Sequence, residues 1–395
     1  MLCGLVAGAR RRGFVTERRR LAGPCGRGGG GREIGGHEKE HMRALRALLA
    51  ALLAAGYTGC DVNVENETDR IFSDYRGTAS PGAAVMVLRN GEPVLVRCYG
   101  MADLARGLAV TPETNFRLAS VSKQFTAMSI LILVERGELT LEHTLTAIFP
   151  DFPAWGGDVT LSHLLQHTSG LADYEPFVPG DSPVQVRDRG VLEIMKQQDG
   201  TRFEPGSRHR YSNSGYAVLA MVVEQVSGQP YARFLEENIF APLGMTHTVA
   251  FEDGVSRVAN RAYGYHVTED GVGESDQSPW SAVLGDGGIY TSLTDLARWD
   301  AALHAGELVS AELYAQAFTP HLENYGFGWR MDAYRGHRRM HHEGTTIGFR
   351  NFIQRFPDER LTVIVLSNRR EPGVEAMAER VADLFLPGES RESAR

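Results

Sequence analysis

A serine and a lysine three residues apart, Ser120 and Lys123, form the pair in this chain that is best suited to chemistry. The 395-residue chain contains 38 arginines but only three lysines, so an ammonium group here is unusual. Arginine stays protonated in proteins, whereas a buried lysine can lose its proton and act as a base. The apolar run that follows predicts a helix beginning near Ser120, on which residues i and i+3 share one face. The sequence Ser-x-x-Lys is therefore a candidate nucleophile and base.

A helix-capping serine followed by a solvated lysine is the alternative interpretation, and an isolated Ser-x-x-Lys sequence would favour it. The predicted helix, however, is apolar on almost all sides from Thr126 to Val134, which is typical of a helix in the centre of a core. A lysine in the first turn of such a helix must face a polar cavity or be buried at a cost. This context favours the chemical interpretation.

Three further segments carry groups suited to the same site. Tyr211-Ser-Asn213 precedes a predicted helix, and a phenol can relay a proton while an asparagine amide can hold a lysine. In His342-Glu-Gly344, alternation places His342 and Gly344 on one face of an extended segment, and glycine permits close approach of a substrate backbone. The third segment, Leu164 to Leu171, is a polar turn between apolar residues.

Other polar and aromatic residues have less specific interpretations. His167 is interpreted as a structural residue that bonds the backbone of its turn. Asp286 either contacts substrate or caps a turn. The aromatic residues Tyr174, Phe177 and Trp280 lie in loops between the motifs and are candidates for the wall of a cleft.

The pattern of apolar runs and turn signals predicts the secondary structure along the chain. Asn90-Gly91 between two apolar runs is a strong hairpin signal, a second hairpin is predicted near the other end, and the region between them is mainly helical. We therefore predict an α+β fold: an antiparallel β-sheet formed by both chain ends and flanked by helices, with an inserted mainly helical subdomain. The predicted elements are strands at 82–88, 93–99, 349–356 and 361–366, helices at 214–226, 231–240, 294–304 and 375–385, and the insertion at roughly 136–275.

The ends of the chain are predicted to lie outside the main domain, which spans residues 76–388. Residues 1–41 are rich in Arg and Gly and predict a disordered extension, interpreted as a start-site artefact, and residues 389–395 predict a disordered tail. Residues 42–59 are typical of a lipoprotein signal peptide with Cys60 as the lipidated residue, followed by a linker at 60–75. An ordinary secretory signal or an uncleaved anchor stays open. The expected location is extracytoplasmic, with a membrane tether through Cys60.

Composition limits the partners that the protein can have. Beyond residue 60 the chain carries 30 basic and 45 acidic residues, which argues against nucleic-acid binding. Only Cys98 lies within the main domain, so no internal disulfide framework is expected. His337, His341 and His342 lack an acidic or cysteine partner at ligand spacing, so neither a metal nor another cofactor is predicted.

The order of these motifs resembles the class C β-lactamase-related serine hydrolases, a family that includes penicillin-binding DD-peptidases, D-aminopeptidases and esterases. The resemblance covers residues 76–388, and five motifs in this order and at these spacings are specific. They are Ser120-x-x-Lys123, Leu164 to Leu171, Tyr211-x-Asn213, Gly287-Gly288 with Asp295 to Trp299, and His342-x-Gly344 with Gly348-Phe349.

The resemblance implies a role for each matching residue. Ser120 would be the nucleophile that forms an acyl-enzyme. Lys123 and Tyr211 would share the general-base role, and which of them takes the serine proton stays open. Asn213 would orient Lys123 and the substrate amide. The backbone N–H groups of Ser120 and Thr345 would form the oxyanion hole.

The third motif departs from the Lys-Thr-Gly of the β-lactamases, because His342 stands in place of the lysine. A neutral imidazole holds a substrate carboxylate less strongly than an ammonium, so true β-lactamase activity is the less favoured expectation. With His342, Gly344 and Thr345 as substrate-binding residues, we expect hydrolysis of a small ester, a D-amino-acid amide or a peptidoglycan-type peptide. The alternative is a penicillin-binding or sensor protein that is acylated without efficient turnover.

Overall fold

The computed structural model describes residues 61–387, and a six-stranded antiparallel sheet dominates it. The strands of the whole region are β1 Ala83–Arg89, β2 Glu92–Tyr99, β3 Met101–Asp103, β4 Leu108–Ala109, β5 Phe116–Arg117, β6 Val249–Ala250, β7 Tyr265–Thr268, β8 Gly271–Glu274, β9 Ile289–Thr291, β10 Arg330–Tyr334, β11 His337–Thr346, β12 Phe349–Phe356 and β13 Leu361–Ser367. The main sheet has the order β10-β11-β12-β13-β1-β2. Strand β1 pairs with β13, with Ala83 opposite Ser367, so both ends of the domain meet in one sheet, as the sequence predicts.

Helices are the other main class of regular structure in the described residues. The α-helices are α1 Asp61–Ile71, α2 Lys123–Glu135, α3 Leu145–Ile148, α4 Leu161–Leu165, α5 Asp188–Lys196, α6 Asn213–Ser227, α7 Tyr231–Leu235, α8 Leu284–Gly287, α9 Leu293–Ala305, α10 Ala311–Ala317 and α11 Glu375–Asp383. A π-helical segment, Glu236–Phe240, continues α7. Helices continue to Ala317, which is beyond the predicted end of the insertion near residue 275. None of the helices within residues 61–387 has the length and hydrophobicity that a membrane crossing requires.

The central strands of the sheet are buried on both faces. In β1, Ala84, Met86 and Leu88 contribute to the main core. The alternate residues Val85 and Val87 contribute to a second core on the opposite face. Strand β1 is therefore a continuous apolar run, as strands covered on both faces are. The main core also contains α2, whose residues from Lys123 to Leu133 are all buried.

Residues 60–75 were predicted to form a linker, and this prediction is wrong from residue 61 onward. Residues 61–71 form α1, and a 3₁₀ turn at Ser73–Tyr75 follows. The ring of Phe72 is fully buried and stacks on Tyr99 of β2 at 5.2 Å. This contact attaches the segment to the sheet. The predicted signal peptide at 42–59, Cys60, the extension at 1–41 and the tail at 389–395 lie outside the described residues.

Candidate active site

Ser120 lies on a tight turn between strand β5 and helix α2. The turn is a 3₁₀ helix, Ala119–Ser122, in which Ser120 is partly exposed and its neighbours are buried. Ala119 adopts a left-handed φ of 51°, a conformation that non-glycine residues seldom adopt outside strained, often functional, turns. A strand, a strained turn and a helix together present the Ser120 hydroxyl at the surface of a cavity.

Lys123 is fully buried and its ammonium has three acceptors. Nζ donates to Ser120 Oγ at 3.1 Å, to Asn213 Oδ1 at 2.8 Å and to the carbonyl oxygen of Asp286 at 2.8 Å. A charged lysine has three N–H groups, so each has a partner. A neutral amine in the same place would instead accept a hydrogen bond from the Ser120 hydroxyl. The geometry therefore suits proton transfer between Ser120 and Lys123.

Asn213 links Lys123 to two carboxylates that the motifs did not indicate. Its amide Nδ2 donates to Glu175 Oε1 at 2.6 Å, and its backbone N–H donates to Asp173 Oδ1 at 3.0 Å. With Oδ1 accepting from Lys123, both ends of the Asn213 amide are engaged. Asp173 and Glu175 follow the polar turn at 164–171, and their proximity to Asn213 arises only from the fold.

Tyr211 lies beside Lys123, with Lys123 Nζ 5.0 Å from the centre of its ring. The Tyr211 hydroxyl is buried and has no hydrogen-bond partner among the described residues. The structure thus places the ring next to the Ser120–Lys123 pair but shows no direct hydrogen bond from its hydroxyl to either residue. A group of bound substrate is the partner that this hydroxyl can still take.

His167 bonds the loop that carries Tyr211. Its carbonyl oxygen accepts from the Arg210 N–H at 2.8 Å, and its Nδ1 accepts from the Ser212 N–H at 3.1 Å. His167 was predicted to bond the backbone of its own turn, but its imidazole instead accepts from the Ser212 N–H of the Tyr211 loop.

Strand β11 packs directly against the segment that precedes Ser120. A Cβ atom at Gly344 would lie 2.0 Å from the carbonyl oxygen of Leu118, so only glycine fits there. Thr345, the next residue, lines the cavity together with Ser120. The predicted oxyanion pair, the N–H groups of Ser120 and Thr345, thus belongs to two segments in close contact.

His342 was predicted to bind substrate, and the structure corrects this expectation for its side chain. The ring is completely buried and is not among the groups that line the cavity. Its Nδ1 bonds the Glu343 carbonyl oxygen at 2.6 Å, and its Nε2 bonds the Tyr325 hydroxyl at 3.0 Å. Burial lowers the pKa of His342 to about 4, so the ring is neutral at pH 7. Nδ1 then donates to the carbonyl oxygen, and Nε2 accepts from Tyr325.

Arg330 is a second cation near the Tyr211 ring that the motifs did not indicate. Its guanidinium group lies 5.5 Å from the centre of the Tyr211 ring and 3.3 Å from the carboxylate of Glu343. Arg330 opens β10, which pairs with the strand that carries His342. The positive charge on this side of Tyr211 thus comes from a neighbouring strand, in an ion pair, and not from the third motif itself.

The cavity at Ser120 has a volume of about 250 Å³, and its charged lining residues are Arg117, Glu175 and Asp286. Asp286 is buried there, which raises the pKa of its carboxyl group to about 6, and Lys123 opposes this shift. The Tyr174 hydroxyl donates to Asp286 Oδ2 at 2.9 Å. The lining residues are Arg117, Ala119, Ser120, Tyr174, Glu175, Asn213, Ser278, Trp280, Asp286, Gly287, Thr345, Thr346 and Ile347.

The expectation of a cleft wall is thus met by Tyr174 and Trp280, whereas Phe177 is exposed and does not line the cavity. A larger cavity of about 850 Å³ is lined by residues that include Asp188 and Leu284 and by none of the predicted catalytic side chains. Within residues 61–387 no cluster of His, Cys, Asp and Glu is suited to a metal ion.

A six-stranded antiparallel sheet packed against a helix that carries Ser-x-x-Lys defines a β-lactamase-type serine hydrolase. The chain belongs to the β-lactamase family, whose model, described as Beta-lactamase, matches residues 68–386. Penicillin-binding protein 4* of Bacillus subtilis is 33% identical over 308 residues, which are 73% of this chain and 68% of that protein. The D-aminopeptidase of Brucella canis is 32% identical over 307 residues, 75% of this chain and 57% of its own length.

Among solved structures, the D-amino acid amidase from Ochrobactrum anthropi SV3, in complex with L-phenylalanine amide, superimposes with a TM-score of 0.70. The two sequences are 26% identical, and the superimposed region covers 82% of this chain and 98% of the amidase chain. The predicted family, fold class and hydrolase activity are therefore confirmed. The roles of individual site residues stay predictions.

Proposed function

We propose that the protein hydrolyses small amides or esters whose acyl part carries an amino group, through an acyl-enzyme on Ser120. Ser120 Oγ would attack the carbonyl carbon as its proton passes to Lys123 or Tyr211. The N–H groups of Ser120 and Thr345 would stabilise the oxyanion. The leaving amine or alcohol would take up a proton from Lys123 or Tyr211 as it departs. Water would then hydrolyse the acyl-enzyme ester.

The carboxylate of Glu175 is the observation that carries the substrate class. Glu175 lines the cavity beside Ser120 and is held by the neutral amide of Asn213. It forms no ion pair with any side chain in the described part of the chain, 61–387. A carboxylate at a cavity wall without a cationic partner favours a ligand that brings the cation, and an ammonium group next to the scissile carbonyl would do so.

The third motif, His342-Glu-Gly344, also favours an amine-bearing substrate. Because the His342 ring is neutral and buried, it offers no cation to a substrate carboxylate. The names of two relatives, D-aminopeptidase and D-amino acid amidase, agree with an amine-bearing substrate. Amides of D-amino acids are therefore the first substrates to test.

The decisive assay compares D-phenylalanine amide with its N-acetyl derivative and with p-nitrophenyl acetate. We expect multiple turnovers with the free amine, weaker activity on the N-acetyl compound, and no activity for Ser120→Ala. In Glu175→Gln, which keeps an acceptor for Asn213, kcat/KM for the free amine should fall by about 10- to 100-fold, the value of a charge-assisted hydrogen bond. Activity on p-nitrophenyl acetate should change little.

Asp181→Asn removes a carboxylate from an exposed position in the same loop region and is the matched control. Equal losses on the amine and the acetate ester in Glu175→Gln would refute amine recognition. A single stoichiometric acylation without turnover would instead favour the acylated sensor, and full activity of Ser120→Ala would refute the nucleophile itself.

We further propose an extracytoplasmic location with a lipid tether on Cys60. The support is the sequence alone: a basic start at Arg43 and Arg46, an apolar stretch and a small residue before Cys60. Expression of the full chain should place the protein in the membrane fraction, and Cys60→Ser should release it. If the full chain and its Cys60→Ser variant are found in the same fraction, the tether is refuted.

A further inference from the structure

We propose that His167 is a positioning residue that holds Tyr211 against Lys123, acting through hydrogen bonds on both sides of the tyrosine. The inference deepens the proposed function and rests on its assignment of Tyr211 to proton transfer. His167 does not line the cavity and does not contact Ser120, so it is not itself a catalytic residue.

The two hydrogen bonds enclose Tyr211 in the chain. The residue before it, Arg210, donates its backbone N–H to the His167 carbonyl oxygen at 2.8 Å. The residue after it, Ser212, donates its backbone N–H to His167 Nδ1 at 3.1 Å. One residue therefore fixes the backbone on both sides of the tyrosine.

The imidazole ring provides a third contact. Its centre lies 4.2 Å from the centre of the Tyr211 ring, with 37° between the ring planes. At the opposite end, the Tyr211 hydroxyl has no hydrogen-bond partner among the described residues. Among the described residues, the phenol is therefore held through its backbone and its ring, which is where His167 acts.

The chemistry of this position suits histidine. The bond from Ser212 requires a lone pair on Nδ1, so the ring must be neutral with its proton on Nε2. The ring is 1% exposed, and Lys123 and Arg330 both lie near enough to disfavour a positive charge on it. His167 also has a left-handed φ of 57°, which histidine, like asparagine and aspartate, adopts more often than other non-glycine residues.

Asparagine and leucine are replacements of similar size: asparagine keeps an acceptor and tolerates the left-handed φ, whereas leucine does neither. Asparagine Oδ1 occupies the same place along the side chain as histidine Nδ1, accepts a hydrogen bond, and tolerates a left-handed φ. Leucine has a methyl group there and accepts nothing. Measured on p-nitrophenyl acetate, His167→Leu should lower kcat by about 100-fold with little change in KM, as a displacement of roughly 1 Å would. His167→Asn should stay within about tenfold of the wild type.

A double-mutant cycle with Tyr211→Phe distinguishes positioning from a general structural effect. If His167 acts through Tyr211, His167→Leu should lower kcat in the wild type but cause little further loss in the Tyr211→Phe background. An equal loss in both backgrounds, or equal losses for leucine and asparagine, would overturn the proposal.

Two other outcomes remain distinguishable. Should Tyr211→Phe keep wild-type kcat, the role of Tyr211 in the proposed function fails, and the positioning role falls with it. Should His167→Leu not fold, as judged by thermal unfolding, His167→Gln replaces it, because its amide lies one methylene group further along. Asparagine should then be the more active of the two, and equal activity would overturn the proposal.

Discussion

Replacing Gly344 by alanine tests whether strand β11 must lie directly against the nucleophile turn. The new Cβ atom would lie 2.0 Å from the Leu118 carbonyl oxygen, whereas ordinary van der Waals contact begins at 3.4 Å. The strand and the turn would have to separate by about 1.4 Å, because the Leu118 oxygen is a backbone atom and cannot move aside as a side chain could. Leu118 lies two residues before Ser120, and Thr345 follows Gly344. The separation therefore moves the two proposed oxyanion donors apart.

A displacement of this size should cost about 100-fold in kcat/KM on p-nitrophenyl acetate. Overpacking should also destabilise the fold by about 1–3 kcal/mol, which lowers Tm by several degrees in a domain of this size. Gly200→Ala is the matched control, because no atom lies within 4 Å of its Cβ position and its φ is outside the left-handed region. If Gly344→Ala matches Gly200→Ala in both kcat/KM and Tm, the packing argument is refuted.

Two further predictions concern the charge states of buried groups. Lys123→Arg keeps the positive charge but cannot release a proton. Its acylation rate should therefore be nearly as low as that of Lys123→Ala, about 100- to 10,000-fold below the wild type. An arginine variant that keeps most of the activity would contradict the role of Lys123 as a base. His342, with a pKa of about 4 in the fold against 6.5 normally, binds its proton less readily when folded. Stability should therefore fall as pH falls from 6.5 to 4, by up to about 3 kcal/mol for this group. The free energy of unfolding, measured with urea at several pH values, should fall less steeply with falling pH for His342→Gln than for the wild type or for the exposed control His321→Gln. The same pH dependence in all three proteins would contradict the assignment.

Elements with strong local signals could be predicted from the sequence. Asn90-Gly91 forms the expected tight turn, with φ of 55° and 80°, because both residues tolerate positive φ. Helices α6 and α9 end at Gly228 and Gly306, which both adopt left-handed φ. These boundaries depend on backbone preferences of one or two residues, so they are visible without a three-dimensional model.

Features that depend on distant partners were missed. The regular structure of residues 61–75 depends on the stacking of Phe72 on Tyr99, and nothing in the local sequence indicates that contact. The buried position of His342 depends on Tyr325, which supplies the hydrogen bond that makes burial tolerable. Glu175 likewise became a candidate for substrate recognition only through its contact with Asn213.

The sequence by itself determined the pairing of Ser120 with Lys123, because one helical turn brings residues three apart to hydrogen-bonding distance, here 3.1 Å. Only the tertiary structure brings the other two acceptors, Asn213 and the Asp286 carbonyl, to the lysine. Asn213 comes from 90 residues further along the chain, and the third acceptor is the backbone carbonyl oxygen of Asp286, 163 residues away. Every residue has such a carbonyl group, so its role carries no sequence signal and is assigned only when the chain folds.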